Sequence, residues 1–105
     1  MFNGLQFMKS NNLNDHLNKI IFKQKSYHDE ILSLPKGKIV LRKVSNSHYY
    51  YLLYRDQSKI RNSYLGPAET ADIEALQMKI DRRNFLKDAL KMLKYEEKEI
   101  RKANR

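Results

Sequence analysis

Both prolines of this chain, Pro35 and Pro67, lie next to or near two of its three glycines, Gly37 and Gly66. Proline lacks an amide hydrogen and glycine costs backbone entropy, so neither continues a regular element well. The two sites cut the 105 residues into three tracts. From Leu13 onward, the outer tracts have no internal breaker and can be long helices. The middle tract has a different periodicity.

In the first tract, Leu13, Leu17, Ile20, Ile21, Tyr27 and Ile31 form a helical stripe once Gln24 fills its gap. This predicts a helix over 12–33, with residues 1–11 flexible and Met8 an alternative start. After Pro67, Ile73, Leu76, Ile80, Leu86, Leu90, Leu93 and Ile100 mark a second stripe, interrupted by Arg83 and Glu97. It predicts a long helix over 68–103. Glu69, Asp72 and Glu74 near its start and Lys98, Arg101, Lys102 and Arg105 near its end suit the helix dipole. The two helices are expected to pair as an antiparallel, coiled-coil-like hairpin. The second outruns the first by about 15 residues, roughly 20 Å. Leu90, Leu93 and Ile100 then need cover, from the N-terminal residues or from a homodimer through the C-terminal helix.

The middle tract alternates. Lys38 to Val44 is short and β-branched, His48 to Arg55 holds four Tyr and two Leu, and Lys59 to Leu65 follows. Ser45-Asn46-Ser47 and Asp56-Gln57-Ser58 supply turn chemistry. This predicts a three-stranded antiparallel meander over 38–65. The fold expected is α+β, one domain over 1–105: N-terminal helix, sheet, long C-terminal helix.

Charge is concentrated in the same tract. The chain carries a net +9, and residues 36–65 hold seven Lys or Arg against one acid, Asp56. Side chains alternate across a strand, so loop lengths assign the faces. A two-residue loop at Asn46-Ser47 and a three-residue loop at Asp56-Gln57-Ser58 put Ile39, Leu41, Tyr50, Leu52, Tyr54, Ile60 and Tyr64 on one face, packed on the helices. The other face holds Lys38, Val40, Arg42, Val44, Tyr49, Tyr51, Leu53, Arg55, Lys59, Arg61 and Ser63. A one-residue change in the second loop would turn Arg61 to the covered face, where an unpaired charge costs several kcal/mol.

A sheet face mixing cations with Tyr suits nucleic acid. A narrow ribbon fits the major groove of double-stranded DNA, or Tyr rings stack single-stranded bases while cations follow the backbone. The nucleic-acid-binding candidates are Lys38, Arg42, Tyr49, Tyr51, Arg55, Lys59 and Arg61, with duplex DNA favoured. The plainer reading is that the tyrosines cover a small sheet or meet a protein or nucleoprotein partner.

Other chemistry is poorly served. There is no Cys, and His16, His28 and His48 lack metal-binding spacing. With three glycines there is no phosphate-cradling loop, and carboxylates on the C-terminal helix alternate with cations. Tyr64 lacks the Arg/His surroundings of a recombinase nucleophile. A non-enzymatic protein without metal or cofactor is expected. No apolar run reaches the roughly 20 residues a membrane span needs, so the expectation is a cytoplasmic protein with no membrane partner.

Leu34-Pro35-Lys36-Gly37-Lys38-Ile39, Tyr49-Tyr50-Tyr51-Leu52 with Tyr54-Arg55, and Tyr64-Leu65-Gly66 before a charged helix resemble a family. It comprises small proteins of bacteria, archaea and mobile elements with a YYYLxYR…YLG core. The likeness covers about residues 31–100 and implies no particular activity. More distantly, the sheet and following helix are similar to the arm-binding N-terminal domain of tyrosine integrases. That resemblance implies base or phosphate contacts by Arg42, Tyr51, Arg55 and Arg61. The turn departs from it, with Gln57 and Ser58 where integrases often have Gly, and this chain is expected to carry an extra N-terminal helix and no catalytic domain. A phage or mobile-element DNA-binding protein is one expectation. A phage-encoded inhibitor of a defence nucleoprotein, of the anti-CRISPR type, is the other.

Overall fold

The computed structural model describes residues 3–103, and side chains from residue 14 onward. The protein is α+β: helix α1 (Asn3–Ser33), strands β1 (Lys38–Val44), β2 (Ser47–Asp56) and β3 (Lys59–Pro67), and helix α2 (Glu74–Ala103). The chain divides into two compact units. One contains residues up to Ser33 with those from Phe85 onward, and the other is Leu34–Asn84.

In the helical unit, α1 begins well before the expected residue 12. Residues 3–11 are helical, and the side chains of Met8 and Leu13 lie outside the described ones. The helices are nearly equal in length, so the expected overhang of α2 disappears. Leu93 is buried and Leu90 and Ile100 are half-buried.

Leu17, Ile20, Gln24, Tyr27 and Ile31 form the covered stripe of α1, and Leu86, Leu90, Leu93, Glu97 and Ile100 that of α2. Ile20, Ile31, Leu86 and Leu93 are buried, Leu86 fully. The polar interruptions of the two stripes meet. Gln24 Nε2 donates to Glu97 Oε1 at 2.9 Å and to the Leu93 carbonyl at 3.3 Å. Arg101 Nε donates to Glu97 Oε2 at 2.7 Å. These contacts are consistent with the pairing of helices expected from the two stripes. A polar pair in an otherwise apolar seam fixes register, because any slip leaves both groups unsatisfied.

In the sheet unit the strand order is β1-β2-β3 and both pairings are antiparallel. The first loop is Ser45-Asn46, one residue earlier than expected, so Arg42 faces Tyr49 and Val40 faces Tyr51. This moves the register by two and leaves the face assignment of β1 and β2 intact. The second loop is Gln57-Ser58, one residue shorter than expected, and Asp56 pairs with Lys59. That change reverses β3. Ile60, Asn62 and Tyr64 lie on the face of Tyr51, Leu53 and Arg55, while Lys59, Arg61 and Ser63 lie on the face of Leu52 and Tyr54.

The shorter loop forms because Gln57 adopts a φ of 59°, and Ser45 does the same at 58°. A positive φ at the first of two loop residues matches the twist of the flanking strands. Turned to that face, Arg61 is neither buried nor unpaired. Its side chain is 52% exposed at the mouth of the hairpin and donates to Asp56 Oδ2 at 2.9 Å. The expected apolar face is also less covered than anticipated. Ile39, Tyr50, Leu52 and Tyr54 are half-buried, but Leu41 is 52% exposed.

Two glycines hold the ends of this unit. Gly37 has φ 128°, and a Cβ there would strike the Leu53 carbonyl oxygen and crowd Leu52 Cδ1 at 3.0 Å. Gly66 has φ 136°, with Ala71 Cβ 3.2 Å from where its own Cβ would stand. Residue 65 is an extra residue in β3, since Tyr51 pairs with Tyr64 but Tyr50 with Gly66. The helix expected from residue 68 starts only at Glu74, because Pro67 first closes a turn. Its carbonyl accepts the Ala71 amide at 2.8 Å, and Asp72 Oδ1 then accepts the Glu74 amide at 3.3 Å.

Two predictions follow from the backbone and one from the seam. Gln57→Gly relieves a left-handed residue and should raise stability by about 0.5–1 kcal/mol, read as a higher melting temperature. Gly37→Ala should cost at least about 1–3 kcal/mol by the same measurement. The Glu97 carboxyl is held below the usual Glu range by its bond from Gln24 and then by Arg101, against partial burial. A depressed carboxyl stabilises the fold above its unfolded pKa, and that contribution is lost as pH falls through the folded value. Denaturant unfolding between about pH 5 and pH 2 should therefore show a loss of stability that Gln24→Ala makes smaller.

Candidate nucleic-acid interface

The central strand makes a platform with two different faces. All six residues from Tyr49 to Tyr54 are half-buried, so both sides of β2 are partly covered. On one side Tyr49, Tyr51 and Tyr64 form a cluster. The ring centroids of Tyr51 and Tyr64 are 5.5 Å apart in an edge-on arrangement, and those of Tyr49 and Tyr64 are 6.0 Å apart and tilted. The Arg42 guanidinium lies over the Tyr51 ring, 5.3 Å from its centroid. Such aromatic and cation–π contacts across strands stabilise the pairing and fix the Arg head over a defined spot.

Cations border the cluster. Lys38 opens β1 opposite Leu53, and Arg55 near the end of β2 faces Ile60; both are exposed, as is Arg42. Among the described residues, none of Lys38, Arg42 and Arg55 has a carboxylate within ion-pair distance. The one acid of this tract, Asp56, is on the opposite face and engages Arg61. The face therefore presents fixed positive charge with no local neutralisation.

Of the seven residues expected at a nucleic-acid surface, the structure gathers five on one face: Lys38, Arg42, Tyr49, Tyr51 and Arg55. Lys59 and Arg61 are on the other face, for the loop-length reason given above. In their place come Ile60 and Tyr64, which are 64% and 56% exposed. Tyr64 was missed because its placement depends on Gln57 tolerating a left-handed backbone, a property that residue identity does not announce.

A shallow depression beside the face is lined by Gly37, Lys38, Leu53, Tyr54, Arg55 and Ile60. It combines two cations with apolar walls and has room for a phosphate or a small planar group. Among the described residues, no group of three or more His, Asp or Glu is placed to hold a metal ion. No helix among them is long and apolar enough to cross a membrane.

The aromatic cluster makes the register testable. A double-mutant cycle on Tyr51 and Tyr64 should give a coupling of about 0.5–1.5 kcal/mol in unfolding free energy. The same cycle on Tyr50 and Tyr64, neighbours had the second loop been three residues long, should give a value near zero.

No curated protein and no solved structure matches the chain. A family model described as a domain of unknown function, DUF6788, matches residues 13–75. The match is more than half of the chain and takes in the later part of α1, the whole sheet with its aromatic and basic face, and the first residues of α2. The chain belongs to the DUF6788 family.

Proposed function

We propose that this protein is a non-catalytic DNA-binding module that sets the Arg42–Tyr51–Arg55 face of its sheet against duplex DNA. The observation that carries the reading is the set of three cations without carboxylate partners, held around a tyrosine cluster while the tract's only acid faces away. Three strands about 5 Å apart make a ribbon about 10 Å across, close to the roughly 12 Å of the major groove. Duplex is favoured over single strand because Arg42 already occupies one face of the Tyr51 ring and Tyr64 meets it edge-on. Little free surface of the Tyr51 ring is left for a base to stack on, so the cations act on phosphates and base edges. Lys59 and Arg61 take no part. This form of binding keeps the contacts that the resemblance to integrase arm-binding domains implies for Arg42, Tyr51 and Arg55, but not the one for Arg61, and suits a protein of a phage or mobile element.

Binding of a short fluorescent duplex tests the proposal. Three phosphate contacts give a salt slope of about −2.7, so affinity should fall roughly 40-fold from 50 to 200 mM salt. Arg42→Glu with Arg55→Glu should abolish binding. Lys59→Glu should leave most of it intact, because that side chain is on the other face. Tyr49→Ala should weaken duplex and single strand alike. If the wild-type protein binds neither form of DNA at 50 mM salt, the reading is wrong, and the basic face is a docking surface for an acidic protein or nucleoprotein.

A further inference from the structure

We infer that the free edge of β1 accepts an extended acidic segment of a partner protein as a fourth strand of the sheet. The sheet has two edges, and they differ. The β3 edge is broken by the extra residue at position 65 and ends in Pro67, two features that discourage a further strand. The β1 edge has neither. Its seven residues run in unbroken register against β2, from Lys38–Leu53 to Val44–Ser47.

The register identifies the groups that an added strand would use. In a two-residue hairpin the closing pair is hydrogen-bonded, and bonded pairs alternate with unbonded ones from there. The closing pair here is Val44–Ser47, so Val44, Arg42, Val40 and Lys38 bond inward to β2. Ile39, Leu41 and Lys43 point their N–H and C=O groups outward. Among the described residues, none of these outward groups takes part in a backbone bond beyond the sheet's own ladder or in a bond with a side chain.

Charge selects the occupant. Between Lys36 and Val44 the chain has Lys36, Lys38, Arg42 and Lys43 and no acid. Pairing with the β1 edge of a second copy would set four cations against four, so like-charge repulsion opposes it. A strand bearing carboxylates meets them instead. Side chains beside Lys38 and Arg42 fall on the cationic face, and those beside Ile39 and the exposed Leu41 fall on the apolar one. The segment that fits alternates acidic and apolar residues, with main-chain bonds supplying affinity and the alternation supplying selectivity.

The test uses the full chain and an end-capped peptide alternating glutamate and valine. Amide hydrogen exchange at Ile39, Leu41 and Lys43 should slow at least tenfold at saturating peptide, while Val40 and Arg42, already bonded to β2, change little. N-methylation of the peptide at the residues that face β1 keeps its charge and side chains and should abolish binding. The same peptide with lysine in place of glutamate should not bind. Leu41→Pro, which removes one outward N–H, should weaken binding at least tenfold. Equal binding of the N-methylated peptide would overturn the inference and reduce the contact to general attraction by the basic face. Unchanged exchange at Ile39, Leu41 and Lys43 would also overturn it, as would pairing of two copies through β1. None of these readouts involves DNA, so failure here is distinguishable from failure of the DNA-binding proposal.

Discussion

The left-handed backbone at Gln57 decides what the sheet shows to its surroundings. With φ at 59°, Asp56 and Lys59 close directly on each other, and every residue of β3 as far as Tyr64 takes its face from that closure. One more residue in the loop would exchange Ile60 and Tyr64 for Lys59 and Arg61. The sheet would then carry five cations on the face of Tyr51, with Tyr64 removed from it. As built, Asp56 and Arg61 neutralise each other at the hairpin mouth, and the tyrosines assemble on the side where Arg42 waits. A single dihedral decides that Lys59 and the paired Arg61 leave the face of the tyrosine cluster.

Stability in the two units has different origins. The helical unit buries Ile20, Ile31, Leu86 and Leu93 in stripes of threes and fours and places one polar pair, Gln24 with Glu97, in the seam. Truncating a fully buried leucine such as Leu86 belongs to the class of change that costs about 2–5 kcal/mol. In the sheet unit Ile80 of α2 is buried to the same degree, but no side chain of the sheet itself is. Its central strand is half-buried on both sides, and its cohesion comes from cross-strand pairs, above all Tyr51 with Tyr64 and Arg42 over Tyr51. Partners of that kind contribute a few tenths to about 1 kcal/mol each, so the exposed face is also part of what holds the sheet together.

The element order was legible because the breakers are few and well placed. Pro35, Gly37, Gly66 and Pro67 mark the true changes of periodicity, and the β1 boundaries agree to the residue. The interruptions at Gln24 and Glu97 were also visible, although the fact that they satisfy each other needs three dimensions. Three features were not legible. The start of α1 lies in a segment whose apolar pattern is weak. The start of α2 is delayed by a turn that uses the Pro67 carbonyl, which no propensity encodes. The face of β3 rests on one residue of loop length, where Gln carries no signal for the conformation it adopts. A period of two amplifies that small error into a complete inversion.

Function in this chain is confined by what a small sheet can offer. A sheet of three strands has two faces and two edges. One face carries Lys38, Arg42 and Arg55 with the tyrosine cluster; the other carries Ile39, Leu41, Leu52 and Tyr54 with Lys43, Lys59 and the neutralised Arg61. One edge is blunted by a bulge and a proline, and the other is straight and cationic. The segment shared with the DUF6788 family holds all four of these surfaces but ends two residues into α2. The family match thus takes in the later part of α1 and the whole sheet and leaves out most of α2. On the proposed DNA-binding reading, charge at Arg42 and Arg55 acts at contact distance, where a displaced guanidinium costs far more than a change in net charge.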